Sequence, residues 1–447
     1  MRILLVAYEF PPSRSPRALR WGYLVRELVL LGHDVHVLLP DLGQPGIEFP
    51  AGPGRVVLHT TFAGPCGWLV GRSRRRRARQ GIAVPSQSAP TQGGAPSGIE
   101  LNWRGHAVER LKQVAGWFLF PDVRAEWTPW ARAGLRRLLA EVKPDVVVTS
   151  HEPASTLPLG LQARRLGAAW VADLGDPVDA VYTPARWKAR ARALEKRVSA
   201  EADAVIVTTE ATRELLVARH GQDRARCPIL ANGYDDRIVL PAHAGELDRV
   251  PGRLELLYAG RLYGYRDPTP LLQAVAATPG VRLTLVVPDP PTGGEAAIAA
   301  AAAGRVRILG SLPHAQVQAM QRDADVLVNI GNRGLPAQIP AKLYEYLGFE
   351  RPILHLDTGA GDAAADWLRG FNRGWLCAAE TEPLSVLLAG LVERKRQGLL
   401  GQGLELAPVA EYAHSARGRR LAIVLQEVVS RQGLARHGMA ARAADAG

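Results

Sequence analysis

Lysine is scarce in this chain: six of its 55 basic residues are Lys, and Arg holds nearly every position where charge alone suffices. Each lysine that remains is mildly unusual. Cysteine is scarcer still. Cys66, Cys227 and Cys377 are scattered and odd in number, which suits a reducing compartment rather than a disulfide framework. No Cys/His cluster has ligand spacing, so no metal is expected. No apolar run is long enough to span a bilayer, and the N-terminus begins a strand-like run with no signal peptide, so a cytoplasmic location is expected. No repeat of solenoid length recurs.

What is present is positive charge and a regular alternation. A formal charge of +12 and a pI near 10 agree with membrane affinity and equally with nucleic-acid binding, but no nucleic-acid motif supports the latter. Strand-like runs alternate with helical patterns twice over, which predicts an α/β chain of two doubly wound parallel-sheet domains, and 447 residues leave room for both cores. The first series of strands is expected at 2–7, 34–39, 56–59, 145–149, 169–173 and 204–207, and the second at 254–259, 282–287, 306–309, 326–330 and 352–356. Residues 1–235 then form the first domain, 236–253 a polar, Pro- and Gly-containing linker, and 254–408 the second domain. Residues 409–447 form a closing helix with a route back to the first domain and a frayed tail.

The first series is interrupted. About 66–102 reads as a flexible basic insertion, with an arginine run at 72–79 and a Ser-, Gln-, Gly- and Pro-rich stretch at 85–98. The following stretch, WRGHAVERLKQVAGWFLF over 103–120, sets aromatic residues beside basic ones. Two readings stand. In one it is an ordinary packed helix. In the other it lies on an anionic membrane with Trp117, Phe118 and Phe120 dipping in, helped by roughly 1 kcal/mol per arginine near the surface.

The most informative stretch is DVLVNIGNRGLPAQIPAKLYEYLGFERPIL, from Asp325 onward. Its apolar run is a strand buried on both faces, and the Gly- and Pro-rich loop after it leads to a helix opened by Pro340. Lys342 and Glu345 then share a helical face. A helix N-terminus and Lys342 suit a phosphate, and the Glu345 carboxylate suits a vicinal diol such as ribose. The plain alternative is a solvated ion pair three residues apart. Elsewhere, Gly260 allows close approach after a strand, and Arg261 beside it has the fork that grips phosphate oxygens. Asp173 and Asp176 flank Gly175 at another strand end, where they orient an acceptor hydroxyl or Asp176 merely caps a turn. Ser13, Ser15 and Arg17 lead into a helix with Ser15 as cap and Pro16 in the first turn, a terminus that holds an anion or is simply capped.

Taken in order, MRILLVAYEFPPSRSPRALRWGYLVRELVLLGHDVHVL, KPDVVVTSHEP, VADLGDP, EADAVIVTTEATRELL, ILANGYD, LLYAGRL and PAKLYEYLGFERPIL resemble the GT-B fold glycosyltransferases of retaining family 4, over nearly the whole chain. The resemblance implies two Rossmann-like domains facing across a cleft, a nucleoside diphosphate sugar as co-substrate, and a lipid-linked or saccharide acceptor. It implies no metal, and a place in bacterial surface polysaccharide synthesis at the inner face of the cytoplasmic membrane. By the same resemblance His151, in a His-Glu-Pro segment, contacts the donor sugar, and Gly260, Arg261, Lys342 and Glu345 bind the donor. Two departures stand out. Ala337 occupies the position of the family's sugar-contacting glutamate, and the usual lysine soon after Arg261 is missing, leaving Arg266 or Lys342 to supply its charge. The alternatives are a non-catalytic nucleotide-sugar-binding or scaffold protein, and a GT-B nucleotide-sugar epimerase.

Overall fold

The structure, a computed structural model, describes all residues except 14, 45–46, 81–118, 181–182, 243–246, 248–249, 290, 292, 303, 335–337, 360 and 446–447. Short runs rich in Val, Leu and Ile build two parallel sheets. The first comprises Arg2–Val6 (β1), Asp34–Pro40 (β2), Arg55–Thr61 (β3), Val146–Ser150 (β4), Trp170–Asp173 (β5) and Ala204–Ile206 (β6), in the order β3-β2-β1-β4-β5-β6. The second comprises Leu254–Ala259 (β7), Val281–Val286 (β8), Val306–Leu309 (β9), Val326–Ile330 (β10), Ile353–Asp357 (β11) and Gly374–Ala378 (β12), in the order β12-β11-β10-β7-β8-β9. Strands β4, β7 and β10 bury every residue, as near-continuous apolar runs covered by helices on both faces do.

Each sheet reverses its order beside its first strand, between β1 and β4 and between β7 and β10. Loops leaving neighbouring strands there diverge, which opens a crevice at the carboxyl ends. The expected strands are present with bounds moved by a few residues. β12 was not expected: Gly-Trp-Leu-Cys-Ala is an edge strand with four half-buried residues and one exposed, so it shows neither a fully apolar run nor an alternation.

The chain forms two compact units, one of Met1–Asn232 with His414–Gly447 and one of Gly233–Ala413. In the first, Ser15 Oγ accepts the Ala18 N–H and Pro16 follows as the first helical residue, which starts the Pro16–Leu30 helix. That helix lays Trp21, Leu24, Val25 and Leu28 on the sheet, in one core with Leu421, Leu425 and Val428 of the His414–Asp445 helix. The two helices touch at Gly418, where an added Cβ would come 2.3 Å from Glu27 Cβ. Residues from Gly233 onward, partly read as a linker, belong to the second unit. There Arg322 donates to the carbonyls of Pro241 and Ala242, and the Tyr234 N–H donates to Tyr412 O.

The flexible insertion expected from residue 66 is corrected at its start: Pro65–Arg79 is a helix. Glu126 accepts the N–H groups of Cys66 and Gly67 at its amino end, and Gly67 and Gly71 form its buried face. Its arginine run is therefore ordered. Residues 85–98 and most of 103–120 lie outside the described residues. No described helix is long and apolar enough to cross a membrane.

Candidate functional site

In the second unit, β7 and β10 pair through Leu256 with Val326 and Leu257 with Leu327, so the loops after them start side by side. Gly260 leaves β7 with φ at 132°, in the region that favours glycine, and a Cβ there would lie 3.9 Å from Lys342 Nζ. Lys342 arrives on the Ala341–Tyr346 helix, for which Pro340 is the N-cap rather than the first helical residue. Its ammonium sits 3.5 Å from the centroid of the Tyr258 ring, buried and with no hydrogen-bond partner. Burial first, and the Arg266 charge second, hold its pKa well below the usual lysine range. The solvated pair with Glu345 does not form; Glu345 Oε1 lies instead 3.6 Å from His314 Nε2.

The turn after Gly260 is tied down. Arg261 O accepts from Tyr258 Oη and from Arg266 Nη1, both at 3.1 Å, and Arg266 Nε donates to Asn332 Oδ1 at 2.7 Å. The Arg266 guanidinium also lies 5.1 and 5.8 Å from the rings of Tyr263 and Tyr265, which stack on each other. Arg266 thus holds the turn and acts on Lys342 through its field. The Arg261 side chain pairs with Asp289 Oδ2 at 3.5 Å, an acidic partner with no signal in the sequence. The structure therefore gathers Gly260, Arg261, Arg266 and Lys342, with Glu345 on the same short helix. Tyr258, Asn332 and His314 join them; Tyr258 and Asn332 lie inside the quoted segments but were given no role there, and His314 lies outside them. Ala337 lies outside the described residues.

Close by, a buried chain of hydrogen bonds links the ends of β10 and β11: Asn329 Nδ2 to His355 Nδ1 at 2.8 Å, and His355 Nε2 to Asp362 Oδ2 at 3.0 Å. Burial opposes ionisation of Asp362, but the His355 contact and backbone N–H groups outweigh it and hold its carboxyl at about 2.

In the first unit, His151 stands just past β4, buried, with its backbone N–H donating to the Asp173 carbonyl at 2.9 Å and its ring Nδ1 without a partner. Burial lowers its pKa to about 4, so the ring is neutral near pH 7. Asp173 is fully buried, held by Arg17 Nη1 at 3.4 Å and Arg20 Nη2 at 3.3 Å. Arg20 also donates to the carbonyls of Leu230 and Ala231. Asp173 is thus the centre of an ion-pair staple. Arg17 lies across Gly175, where a Cβ would fall 0.9 Å from its Nη2. Ser15 Oγ is used as a cap and Ser13 Oγ accepts the Ser15 N–H at 3.5 Å, so local capping accounts for both serines. Asp176, next to Gly175 in the chain, is half-buried.

Sequence reading missed a neighbouring cluster after β1 and β4. Arg124 Nη2 meets Glu9 Oε1 at 2.8 Å and lies 5.4 Å from the Tyr8 ring centroid, while Asp122 accepts the N–H groups of Arg124 and Ser155. Burial raises the Asp122 pKa. Among the described residues no group of three or more His, Cys, Asp and Glu is placed to hold a metal.

Residues 86–238 match the Glycosyltransferase Family 4 domain. The chain is 27% identical over 249 residues to a D-inositol 3-phosphate glycosyltransferase of Nocardia farcinica, a stretch covering 50% of this chain and 53% of that protein, so it spans about half of that relative's length. Among solved structures it is similar to an alpha,alpha-trehalose-phosphate synthase (UDP-forming) from Burkholderia vietnamiensis, with TM-score 0.59, 13% identity and coverage of 96% of this chain and 99% of that one. It is also similar to WaaG, a glycosyltransferase involved in lipopolysaccharide biosynthesis, with TM-score 0.51, 14% identity and coverage of 96% and 98%. At such identities these two likenesses speak for the fold alone.

Proposed function

We propose that this chain, which is similar to the GT-B glycosyltransferases of the family 4 type, moves a sugar from a nucleoside diphosphate to a hydroxyl with retention of anomeric configuration. The observation that carries this reading is the Lys342 ammonium, buried without a partner next to Gly260 at the switch point of the second sheet. A buried ammonium with three donors and no acceptor is matched by an anion with many acceptors, which a diphosphate is. Arg261 adds a bidentate grip, and Glu345 accepts from the ribose hydroxyls. Departure of the diphosphate leaves charge on its oxygens, and the same cations stabilise that charge without need of a metal. The sugar passes through an oxocarbenium-like state, with the leaving phosphate taking the acceptor's proton. Neutral His151 is suited to hydrogen-bond a sugar hydroxyl rather than to carry charge. The name of a similar protein, a D-inositol 3-phosphate glycosyltransferase, supports a phosphorylated hydroxyl compound as acceptor.

Calorimetric titration with UDP, GDP, dTDP and ADP tests the donor site. One diphosphate is expected to bind, and Arg261→Ala and Glu345→Ala are each expected to weaken it about tenfold or more, in line with losing one charge-assisted contact. No binding of any of the four refutes the site. Binding without transfer of the matching sugar leads to the non-catalytic reading.

Attachment to an anionic membrane belongs to the same proposal. The Pro65–Arg79 helix exposes Trp68 and Leu69 ahead of Arg72, Arg76 and Arg79, and Phe62 packs edge-on against Trp130, both exposed. No acidic residue lies between Phe62 and Gln80. Aromatic and basic side chains on one helix suit a lipid surface that is both apolar and negative. Flotation with vesicles containing phosphatidylglycerol is expected to recover the protein, and Trp68→Ser with Leu69→Ser to reduce recovery; equal recovery of both proteins overturns the attachment.

A further inference from the structure

Among the described residues of the candidate donor site, Lys342 is a basic group that the fold leaves without a counter-ion. Its Nζ has three hydrogens to give when protonated and no acceptor to take them. It lies over the face of Tyr258 from β7, which attracts a cation but offers no lone pair for the hydrogens. The charged and titratable groups around it come from three directions. The turn after β7 brings Arg266 and Arg261, both cations, and Arg261 already faces Asp289. Its own helix carries Glu345, whose carboxylate is placed against His314 of the His314–Asp323 helix, and Tyr346, whose hydroxyl donates to Val328 O. Among the described residues no carboxylate forms an ion pair with Lys342. A buried ammonium beside a fixed guanidinium, with no counter-ion, is unfavourable, and the cheapest relief is loss of the proton.

We propose that Lys342 rests as a neutral amine and takes up a proton when a nucleoside diphosphate binds, so that the cation that grips the phosphates forms only in the occupied site. The inference rests on the donor-site reading above. The direction of the lysine's pKa, driven by burial and by Arg266, agrees with it. The phosphate oxygens reverse both causes: they supply acceptors and place negative charge opposite the Arg266 field. The proton comes from solvent and passes to the amine lone pair; no covalent bond between heavy atoms is made or broken. Release of the diphosphate returns it. Linkage then requires affinity to fall about tenfold per pH unit wherever the free amine is neutral and the bound one charged.

The test is titration of the wild-type protein with UDP, GDP, dTDP and ADP at pH 8.5 in buffers of different ionisation enthalpy. At that pH the terminal phosphate is already ionised, its second pKa being about 6. For whichever nucleotide binds, the measured heat plotted against buffer ionisation enthalpy is expected to have a slope approaching one proton taken up. Lys342→Arg, charged at every accessible pH, is expected to bring the slope to zero. Binding with zero slope in the wild-type protein overturns proton uptake and leaves the donor site standing, and so does a slope that survives in Lys342→Arg. No heat with any of the four removes the donor site and this inference with it. Should the arginine variant fail to fold, the wild type alone decides: affinity falling with pH between 7.5 and 9.5 supports the uptake, and a flat profile overturns it.

Discussion

Burial sets the charge of single residues here, and with it their pH behaviour. His151 has a folded pKa of about 4 against an ordinary 6.5. The unfolded chain therefore binds the proton first as pH falls, so the contribution of neutral His151 is complete above 6.5 and is lost on the way down to 4. The difference corresponds to about 3 kcal/mol. Denaturant melts of the first unit between pH 7 and 4 are expected to lose that much stability, and His151→Gln to flatten the slope. Asp362 works in a lower window. Its carboxyl, held at about 2, contributes above the unfolded value near 4 and loses its effect as pH falls through 2. Lys342 has the opposite balance of stability and use. Lys342→Met keeps the volume and removes an amine with no partner, so the melting temperature is expected to hold or rise, by the equivalent of about 1 kcal/mol, while diphosphate binding is lost. A variant that both unfolds and fails to bind would make Lys342 a structural residue.

At the scale of elements, close packing decides. Gly418 is where the closing helix meets the Pro16–Leu30 helix, with Glu27 Cβ 2.3 Å from any added Cβ. A larger residue there pushes two packed helices apart. Gly418→Leu is expected to destabilise the first unit by about 1–3 kcal/mol, seen as a lower unfolding midpoint, with nucleotide affinity unchanged because the candidate donor residues lie in the other unit. Asp173 is a second point of this kind. Arg17 and Arg20 converge on it, and Arg20 carries on to Leu230 and Ala231, so one carboxylate ties β5, the first long helix and the chain leaving the unit. Asp173→Ala leaves two guanidinium groups poorly compensated, and is expected to cost about 3–5 kcal/mol on chemical denaturation. An acceptor-binding role alone would leave stability intact.

At the scale of the whole molecule, each unit has its own core, yet the first is completed from the far end of the chain. Leu421, Leu425 and Val428 share a core with Trp21, Leu24 and Leu28. Ending the chain before His414 exposes that apolar face, and the first unit is expected to become protease-sensitive and to lose its cooperative melt, while the second retains its own transition. Resistance of the shortened chain to protease would show that the helix adds little.

Two parallel sheets were legible in the sequence because strands covered on both faces must be apolar along their length, and runs such as 146–150, 254–259 and 326–330 are short, dense and evenly spaced. The start of the first helix was legible for a local reason as well, since Ser15 and Pro16 act on backbone groups a few residues away. Strand ends rich in Gly, Arg, His and Asp marked where a site belongs. What those residues do there was decided by contacts far apart in the chain. Asp173 became a staple because Arg20 reaches it, Arg266 a brace because Asn332 takes its Nε, and the 65–79 helix ordered because Glu126 caps it. The spacing of Lys342 and Glu345 left a phosphate-and-diol pair and a solvated ion pair both open, and the contacts with the Tyr258 ring and His314 show that the ion pair does not form. Local propensity and burial pattern are written in neighbouring residues. Whether a charge is paired, buried or left to a ligand depends on partners that only the folded chain brings within reach.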